Sequence, residues 1–218
     1  MLQKHFYSAN IKNFAVHHFG GLGNDRYAST QHLTEKHIEN AHKSRWPDFK
    51  SQLNGSYIGY NAIIWPDGTL TQYRLVGEET AAVIGHNKDT LSVCLAGNFN
   101  RKPDGQLVDT PTEAQIRKLS EVQWWAHEEL KISIGAFKPH RGYSMTECYG
   151  TGLPDDWARK LFLPFLEGEI VAFPQRVLGM YLRILLAYFK LKDAMIKEKQ
   201  PAASIYDRGC PGNLQNVE

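Results

Sequence analysis

The segment PHRGYSMTEC, residues 139–148, places a histidine and a cysteine eight residues apart, with a glycine and small polar residues between them. Imidazole and thiolate both bind Zn²⁺ well, and a loop of this length can bring His140 and Cys148 onto one ion. Two ligands do not complete a site, so a third must come from elsewhere in the chain. A coincidental pair is the alternative, because the chain contains nine histidines and short motifs are weak evidence.

His17 is the best candidate for the third ligand, because it ends the apolar run FAVH at residues 14–17. A strand that ends in a ligand holds that ligand rigidly, as a metal site requires. Three protein ligands leave the fourth tetrahedral position of zinc to water, which is the arrangement of catalytic rather than structural sites.

Size and composition limit the function classes. A chain of 218 residues suits one domain, or one domain with an appendage, and a net charge of +2 is too small to indicate nucleic-acid binding. Three cysteines form no disulfide framework, so nothing demands an oxidising compartment. No signal peptide is visible at the N-terminus, and no apolar run approaches the roughly 20 residues of a membrane span. We therefore expect a protein that is cytoplasmic until something releases it.

The hydrophobic pattern predicts an α/β fold in which a central mixed β-sheet is flanked by helices. Strands are predicted at 11–17, 57–65, 70–75 and 91–97, and the turn PDGT at 66–69 joins two of them as a hairpin. The run at 91–97 suits the centre of a sheet, which makes Cys94 a buried core thiol. Helices are predicted at 34–46, from the start signal DTPTE at 109–113 to about 130, and at 155–163.

Three histidines and one glycine-rich segment have other interpretations. His37 and His42 are interpreted as residues on a helix face rather than as ligands, and His86 as an exposed loop histidine. The segment 19–25 lacks the spacing of a phosphate-binding loop, so it is interpreted as the flexible rim of a site.

Taken in order, these stretches resemble the zinc-dependent N-acetylmuramoyl-L-alanine amidases, a family that includes the peptidoglycan recognition proteins and the short phage lysozyme-amidases. The matching segments cover about residues 10–165. They are VH at 16–17, GYNAII at 59–64, DGT at 67–69, SVCLAG at 92–97 and the loop from His140 to Cys148.

The resemblance implies that His17, His140 and Cys148 are the zinc ligands, that Tyr60 is the active-site tyrosine, and that Thr146 lies where other members carry lysine or threonine. The implied reaction is hydrolysis of the amide between N-acetylmuramic acid and L-alanine in peptidoglycan, by a protein of phage or bacterial origin that acts on the cell wall. Tyr60 would orient water or donate a hydrogen bond to the oxyanion, and Thr146 would donate another. The alternatives are a core tyrosine and a loop hydroxyl that caps a backbone group.

The sequence departs from the family pattern at two places. Ala82 or Val83 stands where the family usually has a histidine after the hairpin, and Tyr149 stands where a proline commonly follows the cysteine. Both departures concern the details of substrate binding. Glu147 is adjacent to Cys148, but its direction is unknown, so it is not assigned as the proton donor to the leaving amine.

Two ligand positions have competitors. His18 follows His17 directly, and neighbours on a strand point to opposite faces, so only one of them can face the ion. The resemblance favours His17. The tripeptide CPG at 210–212 looks more like the cysteine motif of the family than Cys148 and its neighbours do, but it lies outside the loop spacing. Cys210 is therefore interpreted as a free thiol in a tail.

Beyond about residue 168 the resemblance ends. We expect an amidase-like catalytic domain at 1–168, a basic amphipathic helix at 169–200 and a flexible tail at 201–218. The apolar residues Leu178, Leu182, Leu185 and Phe189 share one helical face. The helix either docks or self-associates, or contacts an anionic membrane surface through residues 176–197.

Three functions are consistent with the sequence. The first is a zinc amidase that cuts peptidoglycan, and the second is a module of the same fold that binds muropeptide without cutting it. Cys148 favours the enzyme, because family members that lack this cysteine only bind. The third is a membrane-active or scaffold protein that works through the C-terminal helix.

Overall fold

Five strands form the centre of the computed structural model, which describes residues 2–166. The strands are β1 (Asn13–His18), β2 (Ala62–Ile64), β3 (Leu70–Gln72), β4 (Thr90–Leu95) and β5 (Phe137–Pro139). Their order is β3-β2-β4-β1-β5, in which only β3 pairs antiparallel to its neighbour. The predicted mixed sheet is confirmed, and the apolar run at 91–97 supplies its central strand.

Three helices cover the two faces of this sheet. They are α1 (Glu35–Arg45), α2 (Glu113–Leu130) and α3 (Trp157–Leu166), and short 3₁₀ helices span Phe6–Asn10, Ile134–Ala136 and His140–Gly142. Because successive strand residues point to opposite faces, Phe14 and Val16 pack in one core with α2 and α3, and Ala15 packs in a second core with Ile38 of α1. The predicted arrangement of helices around a central sheet is therefore confirmed.

Helix α2 begins where the sequence signal predicted. The Thr112 hydroxyl accepts a hydrogen bond from the Gln115 amide at 3.1 Å, and the Gln115 side chain accepts one from the Thr112 amide at 3.1 Å. This reciprocal pair is a capping box, which satisfies two backbone amides that have no hydrogen-bond partner within the helix. The start signal at 109–113 had indicated a proline in the first turn, and this detail is wrong, because Pro111 precedes the cap residue Thr112.

The strand predicted at 57–65 is mostly wrong, because only Ala62–Ile64 join the ladder. Before Ala62, side chains of α1 rather than a neighbouring strand accept hydrogen bonds from the backbone amides. Glu39 accepts a hydrogen bond from the Tyr57 amide at 2.8 Å, and Nδ1 of His42 accepts one from the Gly59 amide at 2.9 Å. Backbone groups that are satisfied by side chains need no partner strand, so residues 57–59 lie outside the sheet.

Strand β5 was not predicted from the sequence. It has three residues and includes Pro139, which lacks the amide that a ladder position normally uses. Among residues 2–166, no helix has both the length and the apolar character needed to span a membrane. The predicted C-terminal helix, the tail and Cys210 lie outside the described residues.

Candidate metal centre

The candidate site lies where β1 and β5 end, at the carboxyl edge of the sheet. Val16 of β1 pairs with Pro139 of β5, so His17, the next residue of β1, lies beside His140, the first residue after β5. Their ring centroids are 4.6 Å apart. Both side chains are buried, so packing against the surrounding core fixes the positions of the two imidazoles.

Cys148 reaches the same point by a turn of the chain. The Arg141 amide donates a hydrogen bond to the Cys148 carbonyl at 2.8 Å, which closes the loop between the two predicted ligands. The Cys148 sulfur lies 3.7 Å from Nδ1 of His17 and accepts a hydrogen bond from the His18 amide at 3.4 Å. One donor atom from each of His17, His140 and Cys148 lies within 4.8 Å of the other two.

This donor set fits zinc. With Zn–N bonds of about 2.0–2.1 Å and a Zn–S bond of about 2.3 Å, a tetrahedral site separates its donor atoms by about 3.3–3.6 Å. The sulfur-to-nitrogen distance of 3.7 Å is already close to that value. Two imidazoles and a thiolate are ligands that Zn²⁺ accepts readily, so the three side chains form a candidate metal site.

His18 points away from this cluster. Its Nδ1 accepts a hydrogen bond from the Phe99 amide at 3.1 Å on the opposite face of the sheet, where its ring lies 5.9 Å from the Phe99 ring. The geometry therefore groups His17, and not His18, with the other two predicted ligands among the described residues.

Tyr60 lies beside the candidate metal site. Its ring centroid is 5.1 Å from that of His17 and 5.4 Å from that of His42, so the tyrosine stands between the site and helix α1. The side chain is fully buried within the core that faces α1. The predicted active-site tyrosine and the three predicted ligands are thus brought together from three separate segments of the chain.

Comparisons with known proteins give the fold. Neither a protein-family model nor a curated protein sequence matches this chain. Among solved structures, the N-acetylmuramoyl-L-alanine amidase LysC from Clostridium intestinale URNW aligns over 74% of this chain and 88% of its own, with a TM-score of 0.53 and 22% identity. The endolysin amidase LysCS from the same organism aligns over 74% of this chain and 86% of its own, with the same TM-score of 0.53 and identity of 22%.

The chain has the N-acetylmuramoyl-L-alanine amidase fold. A weaker match is the Drosophila peptidoglycan recognition protein SD, with a TM-score of 0.47 and 16% identity over 69% of this chain and 79% of its own. The fold implied by the sequence resemblance is confirmed.

Two residues of the loop before Cys148 have defined partners in this amidase fold. The Thr146 hydroxyl accepts a hydrogen bond from the Cys148 amide at 3.3 Å, which is the backbone-capping contact considered as the alternative for this residue. Accepting that bond leaves the hydroxyl hydrogen of Thr146 able to be donated elsewhere. The Glu147 carboxylate forms an ion pair with Arg26, so it points towards the glycine-rich segment.

The Arg26–Glu147 contact was missed by the sequence analysis, because the two residues are 121 positions apart and neither belongs to a motif. It supports the interpretation of the segment 19–25 as a rim, since Arg26 follows this segment directly. The side-chain amide of Asn98 holds the residues that follow this segment, because it donates to the carbonyls of Arg26 and Ala28, each at 2.8 Å.

The loops around the site carry exposed apolar side chains. On the described residues, the large hydrophobic side chains that are exposed are Leu22, Tyr27, Ile84 and Met145. Met145 belongs to the loop between His140 and Cys148. The loop of Ile84 adjoins it, because the rings of His86 and Tyr143 lie 5.7 Å apart.

The two departures from the family pattern are accommodated by packing. Ala82 and Val83 are buried in the core that faces α1. Tyr149 is buried next to Cys148, and its hydroxyl donates to the Pro154 carbonyl at 2.6 Å. Burial raises the pKa of the Tyr149 phenol, so this side chain is a neutral anchor at physiological pH.

Proposed function

We propose that this protein is a zinc-dependent N-acetylmuramoyl-L-alanine amidase that degrades peptidoglycan. The observation that supports it most strongly is the convergence of His17, His140 and Cys148, whose donor atoms lie within 4.8 Å of one another at the carboxyl edge of the sheet. The shared fold with the two Clostridium amidases supports it independently. The reaction adds water across the amide between the lactyl group of N-acetylmuramic acid and L-alanine, and gives a carboxylate and a free amine.

The proposed ligands are His17, His140 and Cys148, which would hold Zn²⁺ with a fourth position open to water. When bound, zinc lowers the pKa of water towards about 7 and polarises the scissile carbonyl. The three ligands contribute rigidity, because His17 lies within β1, His140 directly follows β5, and all three side chains are buried. A buried site also strengthens every electrostatic interaction with the reacting groups.

Tyr60 and Thr146 are the proposed hydrogen-bond donors to the oxyanion. Tyr60 is held by the rings of His17 and His42, so its hydroxyl needs little reorganisation during the reaction. Thr146 is oriented by the bond that its oxygen accepts from the Cys148 amide. Neither group carries a positive charge, so stabilisation of the oxyanion by these residues rests on neutral donors.

The proposal is tested with purified cell wall. We expect clearing of the suspension and new L-alanine N-termini, both abolished by a chelator and restored by added Zn²⁺. Cys148→Ser should lose bound zinc and activity while its circular dichroism stays unchanged. Cys94→Ala is the matched control, because Cys94 is a buried thiol on β4 that lies outside the candidate cluster. Full zinc occupancy in Cys148→Ser would contradict the ligand set.

The same experiment separates the other two functions. Retention on cell wall without release of N-termini would indicate a muropeptide-binding module. Leakage of wall-free anionic liposomes would indicate a protein that acts on membranes through its C-terminal region.

A further inference from the structure

Arg141 follows the proposed ligand His140 directly and reaches to the chain on both sides of the proposed ligand Cys148. Its side chain is only 20% exposed, although arginine is usually a surface residue. Its contacts join the two ligands that lie on the same loop.

The backbone of Arg141 makes the first of these contacts. Its amide donates to the Cys148 carbonyl at 2.8 Å, so the residue after one proposed ligand is bonded to the other proposed ligand itself. The loop between them is also held at Tyr143, whose hydroxyl donates to the Ala136 carbonyl at 2.6 Å, and at Glu147, which pairs with Arg26. Neither of these contacts joins the chain at His140 to the chain at Cys148, as the contacts of Arg141 do.

The guanidinium makes the remaining contacts, all of them to the chain around Cys148. It donates to the Gly150 carbonyl at 2.7 Å, to the Leu153 carbonyl at 2.5 Å and to the Glu147 carbonyl at 3.5 Å. It also forms an ion pair with Asp155, and its central carbon lies 5.2 Å from the centre of the Tyr149 ring. The planar guanidinium can make several such bonds in fixed directions, which a lysine ammonium cannot do.

These contacts bind residues 147, 148, 150 and 153 to one residue, residue 148 through the Arg141 amide and the other three through its guanidinium. Hydrogen bonds from a charged donor are about twice as strong as neutral ones. A ligand pair that is already at its final separation avoids the ordering cost of binding a metal ion. The partners that orient metal ligands typically contribute a factor of about 10–100 to metal affinity.

We propose that Arg141 is a positioning residue that sets the separation between His140 and Cys148, so that tight zinc binding depends on its guanidinium. This inference rests on the zinc site of the proposed function. It concerns metal affinity, which can be measured without any turnover of peptidoglycan.

The test is a zinc competition titration of the full-length protein against a chromogenic chelator. We expect Arg141→Gln to bind zinc about 10–100-fold more weakly than the wild type. Arg141→Lys should also bind more weakly, because it keeps the charge but loses the directed bonds. In the Co²⁺-substituted protein, the thiolate-to-cobalt absorption band should weaken or shift in both variants.

Arg101→Gln is the matched control. Arg101 also donates to two backbone carbonyls, those of Gly105 at 2.7 Å and Gly152 at 3.5 Å, but it does not connect the two ligands. Its zinc affinity should equal that of the wild type. Thermal unfolding of each metal-free variant measures how much of any change comes from general stability.

Zinc affinity in both Arg141 variants within twofold of a zinc-binding wild type would overturn this inference and leave the proposed function standing. An equal loss of affinity in Arg101→Gln would overturn it too, because the effect would then be general. A wild-type protein that binds no zinc would overturn the inference and the proposed function together.

Discussion

At the scale of single residues, the neighbours His17 and His18 have different surroundings although they share one strand. His17 points to the face that carries Tyr60 and the candidate metal site, and His18 points to the opposite face, where it accepts a hydrogen bond from the Phe99 amide. Alternation along a strand is the whole reason for this difference. It makes the two histidines a natural pair of test and control.

We predict that His17→Ala loses zinc binding, and that His18→Ala keeps it but lowers the free energy of unfolding. The second effect should be about 1–3 kcal/mol, because the buried Phe99 amide loses its acceptor. Zinc content and urea unfolding of the metal-free proteins measure the two effects separately. If His18→Ala folds fully but binds no zinc, then His18 rather than His17 is the ligand.

The hydroxyl of Tyr60 distinguishes the two interpretations of this residue, which are an oxyanion donor and a core tyrosine. As an oxyanion donor it should be worth about 10²–10³ in kcat, so Tyr60→Phe should lose that factor while zinc content stays at the wild-type level. As a core tyrosine it would contribute packing, which phenylalanine preserves. Steady-state release of L-alanine N-termini decides the matter, and an unchanged kcat would remove Tyr60 from the mechanism. Thr146→Val provides a parallel measurement on the second proposed donor.

At the scale of elements, local patterns and long-range pairs differ in how far they could be predicted from the sequence. The hairpin turn and the α2 cap are formed by residues within a few positions of one another, so their signals are visible in the chain. The loop spacing and the apolar run at 14–17 indicated His140, Cys148 and His17 as ligands, and the resemblance favoured the same set and added Tyr60. Strand β5 could not be found because three residues with a proline carry no periodic signal.

Contacts made by side chains across the fold were equally hidden. His42 satisfies the Gly59 amide and Arg26 pairs with Glu147, and nothing in the local sequence indicates either partner. The first contact shortens the predicted second strand, and the second determines the direction of Glu147. Such contacts depend on how elements pack, which propensity and periodicity do not describe.

The packing of α1 against the sheet predicts a loss of stability at alkaline pH. Tyr73 is buried next to this helix, and burial, followed by the nearby Glu35 carboxylate, raises the pKa of its phenol. Above its ordinary pKa of about 10, the phenol of the unfolded chain loses its proton while the folded chain keeps it. The free energy of unfolding should therefore be unaffected below about pH 10 and fall as the pH rises from there towards the folded pKa.

Chemical unfolding of the wild type and of Tyr73→Phe between pH 8 and pH 11 measures this effect, over a range chosen to bracket the usual pKa of about 10. The variant should show a shallower decline, because one titrating group is gone. Tyr27→Phe is the control, since Tyr27 lies on the exposed rim and its phenol is not buried. Parallel curves for the wild type and Tyr73→Phe would show that this tyrosine is not coupled to folding.

At the scale of the whole molecule, the amidase fold accounts for only part of the chain. The alignment with LysC spans 74% of this chain and 88% of LysC. The described residues 2–166 contain the five-stranded sheet, three helices and the candidate site. The C-terminal region has a basic and apolar sequence, and none of the proposed site residues belongs to it.

We predict that a chain truncated after residue 168 folds, binds zinc and releases L-alanine N-termini from purified wall at a rate within about twofold of the full chain. The physical reason is that the three proposed ligands and the residues of both hydrophobic cores described above all precede residue 168. Binding to anionic vesicles should be lost on the same truncation, because the basic amphipathic sequence at 176–197 supplies the charge and the apolar face. Sedimentation with vesicles measures membrane binding and the wall assay measures activity. Both are run on the full-length and on the truncated protein. Loss of zinc binding or of folding in the truncated protein would show that the C-terminal residues complete the domain. Unchanged vesicle binding would show that the membrane contact lies elsewhere on the surface.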